Sequence, residues 1–296
     1  MAAMPLPRTD SLVTFPAGSI QEQARVLDVS GGGPGPAWVL TDVTPFHPVD
    51  PRWPDQGPDH GTLSAGREII PVIDAVMGAT DGSQLFIGAD TPVRRGEPGW
   101  AFVVVHVIPA TGPAPTAGQW VTLTVEADRR SALSAGHTAC HVAALALNAA
   151  LADRWRREVT VDGLGNPDFD QLAITSSVIR PDGAVDTYRL GKSLRKRGFG
   201  SEGLADALAG VEARANELLA GWVASGAAVD LEVSGPGLTD RRTWVCRLPA
   251  GTQRIACGGT HLRSLRELTG LAVSLSLSNA GDELVMTTET RRVPPD

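Results

Sequence analysis

Two short motifs, far apart in the chain, carry side chains of the kinds that bind transition metals. His137-Thr-Ala-Cys-His141 reads H-x3-H, and Cys257-Gly-Gly-Thr-His261 reads C-x3-H. Three imidazoles and one thiolate make a complete tetrahedral set for zinc. The sequence therefore predicts a Zn2+ site formed by His137, His141, Cys257 and His261.

The first motif lies in a predicted helix. Asp128 to Trp155 has almost no helix breakers, and apolar residues recur at helical spacing with both histidines on the same stripe. Residues four apart on a helix point the same way, so His137 and His141 should both face the core. Two buried histidines need polar partners. A metal ion is one such partner, and backbone groups are the alternative.

The second motif follows a predicted strand, Arg254 to Ala256. Its two glycines, Gly258 and Gly259, permit a tight turn, so that Cys257 and His261 can face one ion. Two other interpretations stay open: a free thiol beside a loop histidine, or a nucleophilic Cys257 with His261 as its base. A zinc protease of the H-E-x-x-H type is disfavoured, because Thr138 stands where its Glu should be.

Composition limits the classes to which this protein can belong. The chain has 296 residues and a net charge of −7. Its three cysteines are too few, and odd in number, for a disulfide framework. Cys140 and Cys246 read as small buried residues. No apolar run reaches the roughly 20 residues that cross a bilayer, and the first ten residues lack the apolar core of a signal peptide. The expected location is the cytoplasm, with no membrane partner.

Strands and turns dominate the predicted N-terminal part. Short apolar runs alternate there with turn signals at 31–36 and 81–83. The predicted strands are Trp38–Leu40, Glu68–Ile70, Leu85–Ile87, Ala101–Ile108 and Trp120–Val125. This pattern predicts a small β-barrel domain over residues 1–125.

The rest of the chain, 126–296, reads as an α+β domain with mostly antiparallel strands. After the first helix, residues 159–200 read as strands and loops. A second helix is predicted to begin at Ser201, with an apolar stripe that continues to Trp222. Alternating residues predict further strands over 227–233, 271–277 and 284–290.

The densest basic cluster consists of Lys192, Arg195, Lys196 and Arg197, to which Arg154, Arg156 and Arg157 add. An acidic chain is not a typical nucleic-acid binder, but a local patch can still bind phosphates. The cluster is therefore the candidate RNA-binding site, with an ordinary solvated surface as the alternative. Among the other histidines, His47 and His60 read as loop or surface residues, and His106 as a hydrogen-bonded histidine inside the barrel.

The motif pair resembles the editing domain of alanyl-tRNA synthetase and its free-standing AlaX-type relatives. The threonyl-tRNA synthetase editing domain is more distantly similar. The resemblance covers roughly residues 35–290 and extends beyond the ligands. It includes Thr44-Pro-Phe-His-Pro48, Asp59-His-Gly-Thr-Leu63, Val125-Glu-Ala-Asp-Arg-Arg130 and Val211-Glu-Ala-Arg-Ala-Asn-Glu-Leu218.

This resemblance implies a two-layer α/β editing domain with a zinc site, preceded by a small barrel. It also implies a trans-acting deacylase that hydrolyses the ester of mischarged tRNA, typically serine or glycine on the acceptor end of alanine tRNA. The chain departs from the family where a Gly-Gly-Gln run is usual. Residues 49–56 occupy that place and keep only Gln56, and His47 replaces the usual Tyr.

Ester hydrolysis needs a stabilised oxyanion and a held substrate. The peptide N–H groups of Gly258 and Gly259 are candidates for the first task. The hydroxyls of Thr138 and Thr260 are candidates for contacting the substrate amino acid, with packing or capping as the alternative. Two further hypotheses stay open: a non-catalytic zinc module that binds tRNA or protein, and a zinc hydrolase of small amino-acid esters or amides.

Overall fold

The computed structural model describes residues 6–30, 37–278 and 280–293. The predicted turn at 31–36 lies outside these residues. The protein is mixed α and β, and rich in antiparallel strands. The helices are α1 (Ala127–Ala150), α2 (Phe169–Ala173), α3 (Lys192–Lys196) and α4 (Leu204–Ser225). The strands are β1 (Leu12–Val13), β2 (Gln21–Ser30), β3 (Ala37–Thr41), β4 (Val43–Thr44), β5 (Gly61–Ala65), β6 (Glu68–Val72), β7 (Asp74–Thr80), β8 (Leu85–Ile87), β9 (Ala101–Ile108), β10 (Trp120–Val125), β11 (Ile174–Arg180), β12 (Gly183–Arg189), β13 (Val229–Val233), β14 (Arg242–Leu248), β15 (Gly251–Ala256), β16 (Leu268–Leu277) and β17 (Glu283–Arg292).

Contacts divide the chain into two compact units. The first comprises the described residues of 1–130 together with 233–242 and 258–260. The second comprises 131–232, 243–257 and the described residues from 261 onward. The sequence placed a single boundary at 125/126 and did not anticipate that two later segments belong with the N-terminal part.

The first unit contains an eight-stranded antiparallel sheet in the order β6-β5-β10-β2-β3-β9-β7-β8. The sheet curls, and the N–H of Ile73, just after β6, donates to the Val107 carbonyl of β9 at 2.9 Å. Among the described residues no ladder joins the two edge strands, so the structure shows an open half-barrel where the sequence predicted a small β-barrel. Closure is disfavoured because β8 is short and Pro71 of β6 lacks a backbone donor.

The second unit has two layers. Helices α1 and α4 cover one face of the sheet β11-β12-β17-β16, and its residues alternate between that core and the exposed opposite face. Helix α1 approaches the sheet closely at Gly136, where a Cβ atom would lie 2.3 Å from the Arg180 carbonyl oxygen. Only glycine permits this approach, which places the middle of α1 against the turn between β11 and β12.

Two side chains of α4 protect the edge strand β16. The Asn216 amide donates to the Val273 carbonyl at 2.9 Å and accepts from the Val273 N–H at 2.8 Å. The Glu212 carboxylate accepts from the Leu275 N–H at 2.7 Å. These bonds satisfy backbone groups that an edge strand otherwise offers to another chain. They give a structural role to polar residues of the segment from Val211 to Leu218.

Both long helices are confirmed, with different ends. Helix α1 ends at Ala150; a 3-10 turn over Ala152–Arg154 follows, and Trp155 is extended and pairs with Phe199 in an antiparallel bridge. Helix α4 begins at Leu204 and not at Ser201, because Gly203 has a φ of +64°, which an α-helix does not accommodate. The short helix α3 lies in the segment that was predicted to be strands and loops.

A buried ion pair joins two segments of the first unit that the sequence could not connect. Arg130 Nε donates to the Asp59 carboxylate at 2.9 Å, and a second guanidinium nitrogen bonds the other carboxylate oxygen. Arg130 also donates to the Pro45 carbonyl at 2.7 Å. Asp59 accepts a further bond from the backbone N–H of His47. Both ionic groups are buried.

Two histidines of the first unit are buried. His106 is confirmed as hydrogen-bonded: one ring nitrogen lies 2.8 Å from the Thr44 hydroxyl and the other 3.1 Å from the Val39 carbonyl oxygen. His47 lies in a loop, one of the two predicted placements, but it is buried and not at the surface. Burial lowers the pKa of each histidine from 6.5 to about 4.

These pKa values predict an acid-labile first unit. Between pH 6.5 and about 4 the unfolded imidazoles bind protons and the folded ones do not, so stability is complete above pH 6.5 and falls as the pH drops. For His106 the loss should be about 3 kcal/mol. Urea unfolding at several pH values should show the stability difference between wild type and His106→Asn shrinking by that amount. A pH-independent difference would contradict the prediction.

Among the described residues, no helix combines the length and the apolar character needed to span a bilayer.

Candidate metal centre

The four predicted ligands converge in the second unit. His137 and His141 lie one turn apart on α1, and their ring centroids are 4.9 Å apart. Cys257 directly follows β15, and His261 comes after the two glycines. The His261 ring lies 4.4 Å from the His137 ring and 5.2 Å from the His141 ring, centroid to centroid. The potential ligand atoms of all four residues lie within 4.8 Å of one another.

The distances suit a single ion. Cys257 Sγ lies 3.4 Å from His137 Nε2 and 3.2 Å from His261 Nε2. Zn–S bonds of about 2.3 Å and Zn–N bonds of about 2.0–2.1 Å put sulfur and nitrogen ligands of a tetrahedral centre about 3.6 Å apart. The measured separations are slightly shorter, so small side-chain adjustments would admit an ion.

His141 provides an independent test of the site. Its Nε2 atom is buried, and no hydrogen-bond partner lies among the described residues. Burial lowers the pKa of His141 to about 4, so the ring is neutral at pH 7, the form that binds metals. A buried polar atom without a partner is costly, and a metal ion would satisfy it. The cluster of His137, His141, Cys257 and His261 therefore could hold a metal ion.

Trp244 of β14 forms an apolar wall beside the cluster. Its ring centroid is 4.9 Å from that of His141 and 6.0 Å from that of His261. The indole is fully buried within the main core of the second unit. An apolar wall excludes water and strengthens electrostatic interactions at the ligands. No sequence signal singled out Trp244: it lies on β14, which pairs with the β15 strand that leads to Cys257, and nothing local to it indicates a contact with the histidines.

Thr138 lies behind His261 and is fully buried. Its hydroxyl oxygen accepts a hydrogen bond from the Leu262 N–H at 3.0 Å and lies 3.3 Å from His261 Nδ1. If Nδ1 carries the proton and donates it to this oxygen, Nε2 is left with a lone pair for a metal ion. In the structure the Thr138 hydroxyl therefore contacts His261, one of the four candidate metal-binding residues. A contact between Thr138 and a substrate stays a prediction.

Thr138→Val should lower zinc affinity about 10–100-fold, because outer partners fix a ligand's orientation and tautomer. Thr138→Ser keeps the hydroxyl and should stay close to wild type. Competition against a chromophoric zinc chelator measures both constants. Equal zinc affinity of Thr138→Val and wild type would remove this role from Thr138.

Thr260 is held by Gln56, and both residues are buried in the first unit. The Gln56 side-chain amide donates to the Thr260 hydroxyl at 2.9 Å and accepts from the Thr260 N–H at 3.0 Å. The sequence identified Gln56 as a residue that the chain retains but gave it no partner. The roles of Thr260, Gly258 and Gly259 towards a substrate stay predictions.

The other two cysteines are buried, as predicted. Cys140 Sγ lies 3.5 Å from both carboxylate oxygens of Asp186. Burial raises the pKa of the Cys140 thiol well above its usual value, and the nearby Asp186 charge adds to this. Burial also raises the pKa of Cys246 to about 12. Both thiols are therefore protonated at pH 7 and poor nucleophiles.

The predicted RNA-binding residues lie on and beside α3 in the second unit. Lys192, Arg195, Lys196 and Arg197 are all exposed, and Leu194 between them is buried. Helix α3 follows shortly after β12, and its Leu194 packs into the core, so the basic side chains lie on a short helix that is fixed to the second unit.

Comparisons of the chain with protein-family models and with curated proteins gave no match.

Proposed function

We propose that this protein is a trans-acting aminoacyl-tRNA deacylase with a bound zinc ion, of the AlaX editing type. The observation that carries the proposal is the convergence of His137, His141, Cys257 and His261 in one cluster. These are the residues that the resemblance to the alanyl-tRNA editing domain names as ligands. In the same proposal the second unit, with helices on one face of an antiparallel sheet, corresponds to the two-layer editing domain.

Zinc is proposed because of the donor set. Three imidazoles and one thiolate suit a borderline-soft ion with tetrahedral preference. When bound, zinc would supply Lewis-acid character or a fixed anchor for the substrate. His137 and His141 of α1 would hold the ion together with Cys257 and His261.

The remaining roles fall to the chain's own groups. The N–H groups of Gly258 and Gly259 are proposed to stabilise the oxyanion that develops on the ester carbonyl. Gln56 holds Thr260 through two hydrogen bonds, which fixes the backbone next to these glycines. Lys192, Arg195, Lys196 and Arg197 are proposed to hold tRNA phosphates.

Serine or glycine on alanine tRNA is the proposed target. A polar contact that binds the serine hydroxyl would reject alanine, because the buried partner would lose its hydrogen bond. The cytoplasm, where tRNA is charged, is the proposed compartment.

A second candidate function is a non-catalytic zinc-stabilised module that binds tRNA or protein. It is favoured by the ligand count, because four protein ligands ordinarily close a structural zinc site. The remaining hypothesis, a zinc hydrolase of small amino-acid esters, is motivated by the altered segment 49–56. It predicts that replacing Lys192, Arg195, Lys196 and Arg197 by Ala leaves turnover unchanged.

The deciding experiment measures deacylation of labelled Ser-tRNA(Ala) and Ala-tRNA(Ala) by zinc-loaded protein. The same assay is run after chelation and with His141→Ala. We expect fast, metal-dependent loss of serine, with alanine spared. If neither ester is cleaved above background, the deacylase proposal fails. If zinc binds but neither ester is cleaved, the non-catalytic module is favoured.

A further inference from the structure

Two separate segments of the second unit, 153–158 and 189–202, form one continuous piece of surface. Trp155 pairs with Phe199 in an antiparallel bridge. The Arg156 N–H donates to the Gly198 carbonyl at 2.9 Å, and the Gly200 N–H donates to the Arg154 carbonyl at 2.8 Å. Residues that are about 40 positions apart in the chain therefore lie side by side.

Apolar anchors hold this surface on the core. Leu194 and Phe199 are buried, and the Phe199 ring lies 5.2 Å from Trp155 and 5.1 Å from Phe169, centroid to centroid. Gly198 has a φ of +107°, and a Cβ atom there would lie 2.9 Å from the Arg157 Cβ. Glycine thus allows the two segments to pack closely, which fixes the positions of the flanking arginines.

The surface is strongly basic in an acidic protein. The two segments contain eight basic and three acidic residues, a formal charge of +5 in a chain whose net charge is −7. Seven of the basic residues are exposed: Arg156, Arg157, Arg189, Lys192, Arg195, Lys196 and Arg197. Like charges gathered at this density repel one another, so the arrangement favours a polyanionic partner.

The internal ion pairing of this surface is weak. Arg156 lies 3.4 Å from the Glu202 carboxylate, but the two side chains are 72% and 89% exposed. Exposed pairs of this kind contribute little stability, so a phosphate can replace the carboxylate at small cost. The Arg157 guanidinium donates to the Lys196 carbonyl at 3.3 Å and keeps further donors for a ligand.

We propose that this basic surface binds the phosphate backbone of an RNA stem. The proposal rests on the proposed function, and it adds Arg156 and Arg157 to the four basic residues that the sequence singled out. The two aromatic residues of these segments, Trp155 and Phe199, pack against each other and offer no platform for unpaired bases. Binding is therefore through phosphates, insensitive to base sequence and strongly dependent on salt.

The test uses a fluorescently labelled RNA hairpin that copies the acceptor stem of alanine tRNA. The hairpin is not aminoacylated, so no ester is involved. Anisotropy is measured between 50 and 200 mM KCl for the full-length protein. The variant Arg156→Glu/Arg197→Glu has one change in each segment. The control Arg67→Glu/Arg214→Glu makes the same charge change at exposed arginines elsewhere. Thermal unfolding of both variants verifies that they fold.

We expect Arg156→Glu/Arg197→Glu to weaken hairpin binding about 10–100-fold, and the control to weaken it less than threefold. The slope of log K against log [KCl] should fall by about 2, since each phosphate contact contributes about 0.9. No binding by wild type, or equal losses in the two variants, would overturn the proposal. An acidic peptide of the same charge that binds as tightly as the hairpin would make the surface a general polyanion site.

Deacylation of Ser-tRNA(Ala) by the same proteins separates the two proposals. If wild type cleaves the ester but the variants bind the hairpin as tightly as wild type does, the proposed RNA surface is wrong and the proposed deacylase activity is supported. If the variants abolish hairpin binding but wild type cleaves no ester, the RNA surface stands and the proposed reaction fails.

Discussion

Arg130→Met is expected to lower the free energy of unfolding by about 3–5 kcal/mol, the usual cost of breaking a buried ion pair by removing one partner. Methionine fills much of the space of the arginine stem but leaves the buried Asp59 carboxylate without its two guanidinium bonds. The Pro45 carbonyl loses a donor in the same substitution. An unpaired charge in this position is far costlier than the lost contact alone.

The adjacent arginine provides a matched control. Arg129 donates to the Pro58 carbonyl at 3.3 Å and is only partly buried, so Arg129→Met should cost less than about 1 kcal/mol. The double variant Asp59→Asn/Arg130→Met should cost less than the sum of its single changes, because both act on one interaction. Urea unfolding is measured for five proteins: wild type, Arg129→Met, Arg130→Met, Asp59→Asn and the double variant. A loss below 1 kcal/mol for Arg130→Met would mean that the pair contributes little.

The four residues of the candidate metal centre could be predicted from sequence because their signal is local. His137 and His141 are one helical turn apart, and Cys257 and His261 flank two glycines, so each pair is defined within five residues. The groups that support them are defined by long-range contacts. Gln56 and Thr260 are 204 positions apart, and nothing in either segment specifies that pairing.

The difference between local and long-range signals also explains which parts of the fold could be predicted from the sequence. Apolar runs such as Ala101–Ile108 identified β9 with its observed bounds. Strand β2 was missed because its first residues, Gln21, Glu22 and Gln23, are polar. Its first half, Gln21–Arg25, pairs with β10 and its second half, Val26–Ser30, pairs with β3 at the centre of the sheet. Whether a sheet closes depends on such pairings, so alternation identified several strands and predicted a small barrel, whereas the observed pairings form a curled, open sheet.

Helix α3 shows the limit for short elements. Five residues with four charges or hydroxyls give no helical stripe, and only Leu194 faces the core. Its position was set by tertiary packing of Leu194, Phe199 and Trp155. The charges were visible in the sequence, but the neighbouring segment around Arg156 was not predicted to lie beside them.

Removal of the metal is expected to have the other large effect. A ligand present at a thousand times its Kd stabilises the folded state by about 4 kcal/mol, so chelation should lower the stability of zinc-loaded wild type by several kcal/mol. His141→Ala removes the candidate ligand whose Nε2 has no hydrogen-bond partner in the described part of the chain. This variant should bind no zinc, and chelation should leave its stability unchanged.

The same variants separate the metal site from a nucleophilic cysteine. A Cys257–His261 pair acting as nucleophile and base needs neither zinc nor His141, so His141→Ala would then leave activity intact. A metal site predicts that His141→Ala and Cys257→Ser lose zinc together, while Cys246→Ser and His60→Ala retain about one ion per chain. Elemental analysis after gel filtration, combined with thermal unfolding with and without chelator, measures both properties. The metal centre would be contradicted if wild type carried no zinc and its unfolding temperature did not change with chelator. The four side chains would then form a cluster stabilised only by their own hydrogen bonds.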